Sequence, residues 1–206
     1  METLNDRLME EWSAKRFVYT LGQALLGGEP TAETLAGADG ELISEASEIL
    51  GLANDCGVAA AVKRASEDLE HTAAQYVRLF IGPNELKAKP WESTYLTKSK
   101  TLFSRETLEV RNAYRAQGFL PAQYPRVADD HIALECGFMA QLCGRAIEAL
   151  NAGGEAQYVD ASRAAQAFLQ EHLLRWVDDY AADLAAAAPD TLFACVANLV
   201  SEVAHR

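Results

Sequence analysis

The sequence is short of cysteine, of basic charge, of long apolar runs and of turn-forming residues, and each shortage excludes a class of protein. Four cysteines in 206 residues (Cys56, Cys136, Cys143 and Cys195) are too few for a disulfide-stapled scaffold. Each lies among Ala, Val and Leu, where a free thiol behaves as a small hydrophobe. Met1-Glu2-Thr3-Leu4-Asn5-Asp6 has neither the basic nor the apolar region of a secretory signal. No stretch approaches the ~18 consecutive apolar residues of a membrane span. These absences predict a soluble, cytoplasmic chain with no stable membrane insertion. Basic residues number 18 against 30 acidic ones, a formal charge of −12. Without surplus cations a surface displaces few counterions from a phosphate backbone, so nucleic acid is not an expected partner. Gly and Pro are few, 13 and 6, and half the residues are hydrophobic, which excludes disorder and collagen-like sequence.

What is present is helix after helix. Leu4, Leu8, Trp12, Phe17, Leu21 and Leu25 fall near one face of an amphipathic segment that Gly27-Gly28 and Pro30 stop. Thr31 to Leu35 reads as a short turn and Glu41 to Leu52 as a second helix. Asp55 is placed to cap a third, long one running from Val58 to Phe80. Ile81-Gly82-Pro83-Asn84 breaks the pattern, and helical spacing resumes after Ser104 as far as Gly118. A second irregular stretch, Phe119 to Ala128, contains Pro121 and Pro125. Asp129 or Asp130 then caps a helix to Leu150, a further helix runs from about Tyr158 to Ala187, and Asp190 caps the last. No strand-like alternation and no Asn-Gly or Asp-Gly hairpin turn appears. The expectation is an all-α fold, one domain over residues 1–206, a bundle of about seven to ten helices.

Catalytic motifs are missing as well. There is no phosphate-cradling loop, no dinucleotide fingerprint, no His-Glu-x-x-His, no EF-hand loop and no nucleophile elbow. Only His71, His131, His172 and His205 are available as imidazoles. The best metal candidate is His131, Glu135, Cys136 and Cys143. His131 and Glu135 share one helical face and the two cysteines another, about 100° away, so one ion gathers all four only with difficulty. Two irregular segments carry the rest of the chemistry. In Leu86 to Tyr95, Pro90 stiffens the backbone and holds Trp91 either as a plug on the core or as part of a binding surface. Asp129-Asp130-His131 and Glu135 read either as cap and first turn or as a hydrogen-bonding cluster receptive to a cation.

The strings themselves are familiar. Tyr76-Val77-Arg78-Leu79-Phe80-Ile81-Gly82-Pro83, followed by Pro90-Trp91-Glu92-Ser93-Thr94-Tyr95-Leu96, resembles the signature of the TorD/DmsD-type chaperones. These are the cytoplasmic maturation chaperones of molybdenum-containing redox enzymes. The stretch opening Asp130-His131-Ile132-Ala133-Leu134-Glu135 is similar to the family's second motif. Phe168 to Trp176, with His172-Leu173, is similar to a third. The resemblance implies an all-helical, non-enzymatic protein without a cofactor of its own. It would bind the twin-arginine signal peptide of a molybdopterin oxidoreductase and hold the apo catalytic subunit until its cofactor is inserted.

Carried over by position, the resemblance assigns peptide binding to Tyr76, Leu79, Phe80, Pro90, Trp91, Asp130 and His131. Glu135 joins them as a carboxylate on the same helix. Tyr76 stands where the family commonly has Trp, and Lys87 and Lys89 replace its usual apolar or proline residues. Asp129, Asp130 and Glu135 would take the guanidinium groups in charge-assisted pairs, and Leu79, Phe80 and Trp91 would line a groove for the apolar run. The loop is itself basic, with Lys87, Lys89, Lys98 and Lys100 against Glu85 and Glu92. Acidic attraction is therefore expected from Asp129-Asp130 or from Asp178, Asp179 and Asp183. The alternative is a helical metal-binding protein or enzyme built on His131, Glu135 and the cysteines. Guanine-nucleotide binding, proposed within the family, lacks a phosphate loop here. Both a monomer and a domain-swapped dimer are compatible with the long irregular connections.

Overall fold

Thr3 and Asp6 form a reciprocal capping box at the start of α1 (Leu4–Gly27): the Asp6 N–H donates to Thr3 Oγ1 at 3.1 Å and the Thr3 N–H to Asp6 Oδ2 at 2.9 Å. The computed structural model describes residues 3–83, 85–97, 104–121 and 127–206. After α1 come α2 (Ala32–Ala36), α3 (Gly40–Ile49), α4 (Val58–Glu67), α5 (Leu69–Tyr76) and a π turn, Val77–Ile81. Then follow α6 (Glu92–Leu96), α7 (Arg105–Ala116), α8 (Ile132–Ala152) and α9 (Glu155–Glu171). A 3₁₀ turn (Leu173–Arg175), α10 (Val177–Ala187) and α11 (Leu192–Ala204) complete the chain. Two of the eleven α-helical segments among the described residues have only five residues. Among the described residues there is no strand, and no helix is long and apolar enough to cross a membrane.

α8 is the central helix. Fourteen of its 21 residues are buried, so it is apolar nearly all round and must be enclosed by other helices. α1 runs antiparallel along it, with Arg16 against Gly144, Gly22 against Cys136 and Gly27 against Ala133. The small residues let the two backbones approach closely, and α11 closes the same seam through Val200. On the other side an aromatic stack joins three helices. Tyr114 of α7 and Phe168 of α9 flank Phe138 of α8, each with ring centroids 4.8 Å from it.

Several boundaries differ from the sequence expectation, each for a visible reason. The long helix from Val58 to Phe80 is broken at Asp68, whose carboxylate accepts the His71 N–H at 3.0 Å and restarts the chain as α5. The helix from Tyr158 to Ala187 breaks at His172 (φ −129°, ψ −84°), where the ring turns inward. α8 is capped by His131 rather than by Asp129 or Asp130, and α11 by Thr191 rather than Asp190. Gly82 ends the π turn at φ 88°, a left-handed backbone that glycine adopts without a Cβ clash. Of the sequence features named above, Met1, Glu2, Asn84, Lys98, Lys100 and Pro125 lie outside the described residues.

Candidate functional site

The Pro-Trp segment and the Asp-His pair, forty residues apart in sequence, are zipped together by their backbones. The Ile132 N–H donates to the Pro90 carbonyl at 2.9 Å, and the Glu92 N–H to the Asp130 carbonyl at 3.0 Å. Between these bonds Trp91 and His131 form an isolated antiparallel bridge. Their rings meet edge to face, with centroids 5.4 Å apart. Pro90 brings no N–H to the bridge, and its carbonyl supplies the one acceptor required.

Each acid near the pair has an internal partner. Asp130 is fully buried, and its Oδ2 accepts the Ser93 N–H at 2.9 Å, satisfying a donor in the first turn of α6. Asp129, also buried, accepts from Arg111 Nε at 2.8 Å, while its carbonyl accepts the Tyr114 hydroxyl at 2.9 Å. His131 remains partly exposed and turns Nδ1 onto the Ala133 N–H at 3.2 Å. Burial pushes its pKa down to about 4, so the ring is neutral and the cap intact at neutral pH.

Behind the bridge lies a buried polar network. Glu92 is fully buried against His172 Nδ1 at 3.1 Å and Arg175 Nη1 at 3.8 Å. Glu135, equally buried, accepts Trp176 Nε1–H at 3.2 Å. Glu92, His172 and Trp176 were not singled out as site residues from the sequence. The third motif contained the last two, but nothing in their spacing showed that they turn toward residues 92 and 135.

Of the residues assigned from the sequence, the structure thus brings Pro90, Trp91, Asp130, His131 and Glu135 together. Tyr76 and Phe80 gather instead around Phe193 of α11, with centroids 5.6 and 5.4 Å from it, and Leu79 is half-buried beside them on the π turn. Exposure sorts the set again. Tyr76, Pro90, Asp130 and Glu135 are buried, whereas Leu79, Phe80, Trp91 and His131 keep part of their surface in solvent.

Two open clefts take part of their walls from residues next to the bridge in sequence, Lys89 and Thr94 in one and Ala133 and Leu134 in the other, though neither Trp91 nor His131 lines them. One of about 360 Å³ lies between the α6 segment and α10, with Lys87 and Lys89 on one wall and Asp179 and Asp183 on the other. Tyr95 crosses it, its hydroxyl 3.2 Å from Asp183 Oδ2, and Lys89 is paired with Glu85 at 2.9 Å. Asp178 is turned away, bonded to Ser201 and His205. The second cleft, about 430 Å³, is largely apolar and lined by Gly27, Phe119, Leu120, Pro121, Ala133 and Leu134. Among the described residues no group of three or more His, Cys, Asp or Glu could hold a metal ion. Of the candidate ligands read from the sequence, His131 uses Nδ1 for its cap and burial pushes the Cys143 thiol up to about 12.

Comparison with known proteins converges on one group. A family model described as nitrate reductase delta subunit matches residues 40–182. The chain is 30% identical over 109 residues to the chaperone protein TorD of Vibrio cholerae, covering 53% of this chain and 48% of that one. It is 29% identical over 107 residues to the Tat proofreading chaperone DmsD of Haemophilus influenzae, covering 52% and 45%. The matched region thus spans about half the length of these curated relatives. A solved structure of a redox enzyme maturation protein from Archaeoglobus fulgidus superposes with a TM-score of 0.56 over 93% of this chain and 94% of that one. At 19% identity that likeness speaks for the fold alone.

Proposed function

Because the chain belongs to the nitrate reductase delta subunit family, with TorD and DmsD chaperones among its relatives, we propose that it is a dedicated, non-enzymatic chaperone for a molybdopterin-containing oxidoreductase. It binds that enzyme's twin-arginine signal peptide in the cytoplasm and holds the apo catalytic subunit until the cofactor is in place. The observation that carries this reading is the bridge between Trp91 and His131, which holds two partly exposed rings together, while residues next to it in sequence line one cleft with an acidic wall and another that is largely apolar. A twin-arginine leader has the matching chemistry, two guanidinium groups followed by an apolar run.

In this reading the buried members of the set, Tyr76, Pro90, Asp130 and Glu135, hold the surface in shape. Leu79, Phe80, Trp91 and His131 touch the peptide. Beside Glu85, which pairs with Lys89, Asp179 and Asp183 line the open cleft, and they suit bidentate guanidinium pairing better than the enclosed Asp129, Asp130 and Glu135.

Titration calorimetry with a synthetic twin-arginine peptide tests the proposal. Binding is expected at micromolar affinity or better, roughly −8 kcal/mol. Trp91→Ala and His131→Ala should each weaken it by about tenfold, ~1.4 kcal/mol, with helical content unchanged. Wild-type affinity in both variants, or no binding by the wild type, would sink the assignment.

A further inference from the structure

Glu92 and Glu135 are buried acids that peptide recognition leaves unused. Glu92 opens α6 and Glu135 lies in the first turn of α8, and neither exposes any surface. Backbone bonds join residues 90–92 to 130–132, and both glutamates are buried in the network behind that bridge, where the Glu92 carboxyl acts on Glu135 by its charge and as a hydrogen-bond partner. Two carboxylates in contact, shielded from water, cannot both stay ionised, because their repulsion and their desolvation add. One proton must lie between them.

The neighbours decide where that proton sits. Glu92 faces His172 Nδ1 at 3.1 Å and Arg175 Nη1 at 3.8 Å, partners that favour a carboxylate. Glu135 receives a single neutral N–H, from Trp176, and its Oε1 meets no N–H or O–H donor. The other titratable groups around it make ionisation worse. Asp130, in the turn before α8, adds like charge, and the Tyr114 hydroxyl of α7 is itself held protonated by burial. Desolvation raises both glutamates above the ordinary value, and Glu135 much further.

We propose that Glu135 is a neutral carboxylic acid donating a hydrogen bond to the Glu92 carboxylate, and that this shared proton is the clamp that positions the Pro90–Trp91 segment against α8. The chain Trp176–Glu135–Glu92–His172 ties α6, α8 and the α9–α10 corner at one point. Both glutamates are positioning residues. Any effect on peptide binding passes through Trp91 and rests on the function proposed above, but the clamp itself does not.

The linkage has a definite sign. Unfolding frees Glu135 to titrate at its ordinary value of about 4.5, so the unfolded chain holds fewer protons than the fold above that pH. Glu135's own contribution is fully present below about pH 4.5 and declines as pH rises toward its folded-state value, whereas the Glu92 carboxylate that accepts its proton, itself raised, is the partner lost on acidification, so the clamp is intact between the two. Glu135→Gln keeps a neutral donor of the same shape and cannot titrate.

Infrared spectroscopy of the full chain at neutral pH is expected to show a protonated carboxylic acid C=O band that Glu135→Gln removes. Across about pH 5 to about pH 8 the melting temperature of Glu135→Gln should vary less than that of the wild type. Amide exchange at Glu92 and Ile132 should accelerate in Glu135→Ala and return to the wild-type rate in Glu135→Gln. If Glu135→Ala does not fold, the comparison of wild type with Glu135→Gln decides. A missing band, a band that survives in Glu135→Gln, or parallel pH profiles would overturn the proposal. None of these readouts uses the signal peptide, so failure of the clamp and failure of the proposed function remain distinguishable.

Discussion

His131 accepts the Ala133 N–H on Nδ1, and that bond exists only while the nitrogen keeps its lone pair. Burial holds the folded-state pKa near 4, against an ordinary value of 6.5. As acid is added, the unfolded chain therefore takes up a proton before the fold does. Stability associated with the neutral ring is fully present above about pH 6.5 and is lost as pH falls through about 4, by on the order of 3 kcal/mol at most. Asparagine is a good N-cap and does not titrate in this range, so His131→Asn preserves the acceptor and removes the linkage. At neutral pH the variant should melt somewhat below the wild type, because the ring contact with Trp91 is gone. That deficit should shrink steadily as pH falls from about 6.5 to about 4. Reading the difference between the two proteins cancels the opposing contribution of Glu135. A deficit that stays constant over the range would show that His131 is not held neutral by the fold.

Between elements, the decisive contact is the seam of α1 with α8. A Cβ on Gly22 would approach Cys136 Sγ and Val200 Cγ2 at 2.9 Å, and both side chains belong to fully buried residues with little freedom to move. Gly22→Val is expected to overpack the seam and cost about 1–3 kcal/mol in urea unfolding. Gly144 offers a control on the same helix pair. The atoms nearest a Cβ there belong to Arg16, at an ordinary contact distance of 3.6 Å, so Gly144→Ala should gain about 0.5–1 kcal/mol from helix propensity. Equal effects at the two sites would remove the seam as an explanation. These elements were largely legible in the sequence. Apolar spacing and Gly27-Gly28 placed the end of α1, and apolar spacing to Leu150 placed that of α8, within a few residues. The break at Asp68 also rests on a local device, an Asp cap inside a helical run. The break at His172 does not, because the ring turns toward Glu92, 80 residues away. The candidate site divides in the same way. The motif strings located Trp91 and His131, but an acid looks alike in sequence whether it faces water or another buried group. Asp130 and Glu135 therefore read as guanidinium partners, and only the packing shows them engaged from within.

For the molecule as a whole, the charge of −12 is unevenly placed. From Arg16 to Lys63 the chain has seven acids (Glu29, Glu33, Asp39, Glu41, Glu45, Glu48 and Asp55) and no basic residue between them. The bridge segment instead carries Lys87 and Lys89 on the wall of its cleft. On the function proposed above, a doubly basic peptide would be drawn by the field of the whole protein and seated by a few placed groups. These two contributions act on different rate constants. Long-range attraction speeds encounter, whereas desolvated contacts slow departure. Raising salt from about 0.05 M to about 0.5 M shortens the screening length from roughly 14 to roughly 4 Å, and should lower the association rate on the order of tenfold while dissociation changes less than about twofold. Replacing Glu41, Glu45 and Glu48 together by Gln should reproduce part of the association loss, since α3 carries them in a stretch without compensating bases. Trp91→Ala should do the reverse, raising the dissociation rate at nearly constant association. Stopped-flow kinetics on the three proteins at both salt concentrations would separate the cases. If Trp91→Ala slowed association and the triple substitution accelerated dissociation, steering and seating would have to be reassigned between the acidic N-terminal helices and the Trp91–His131 bridge.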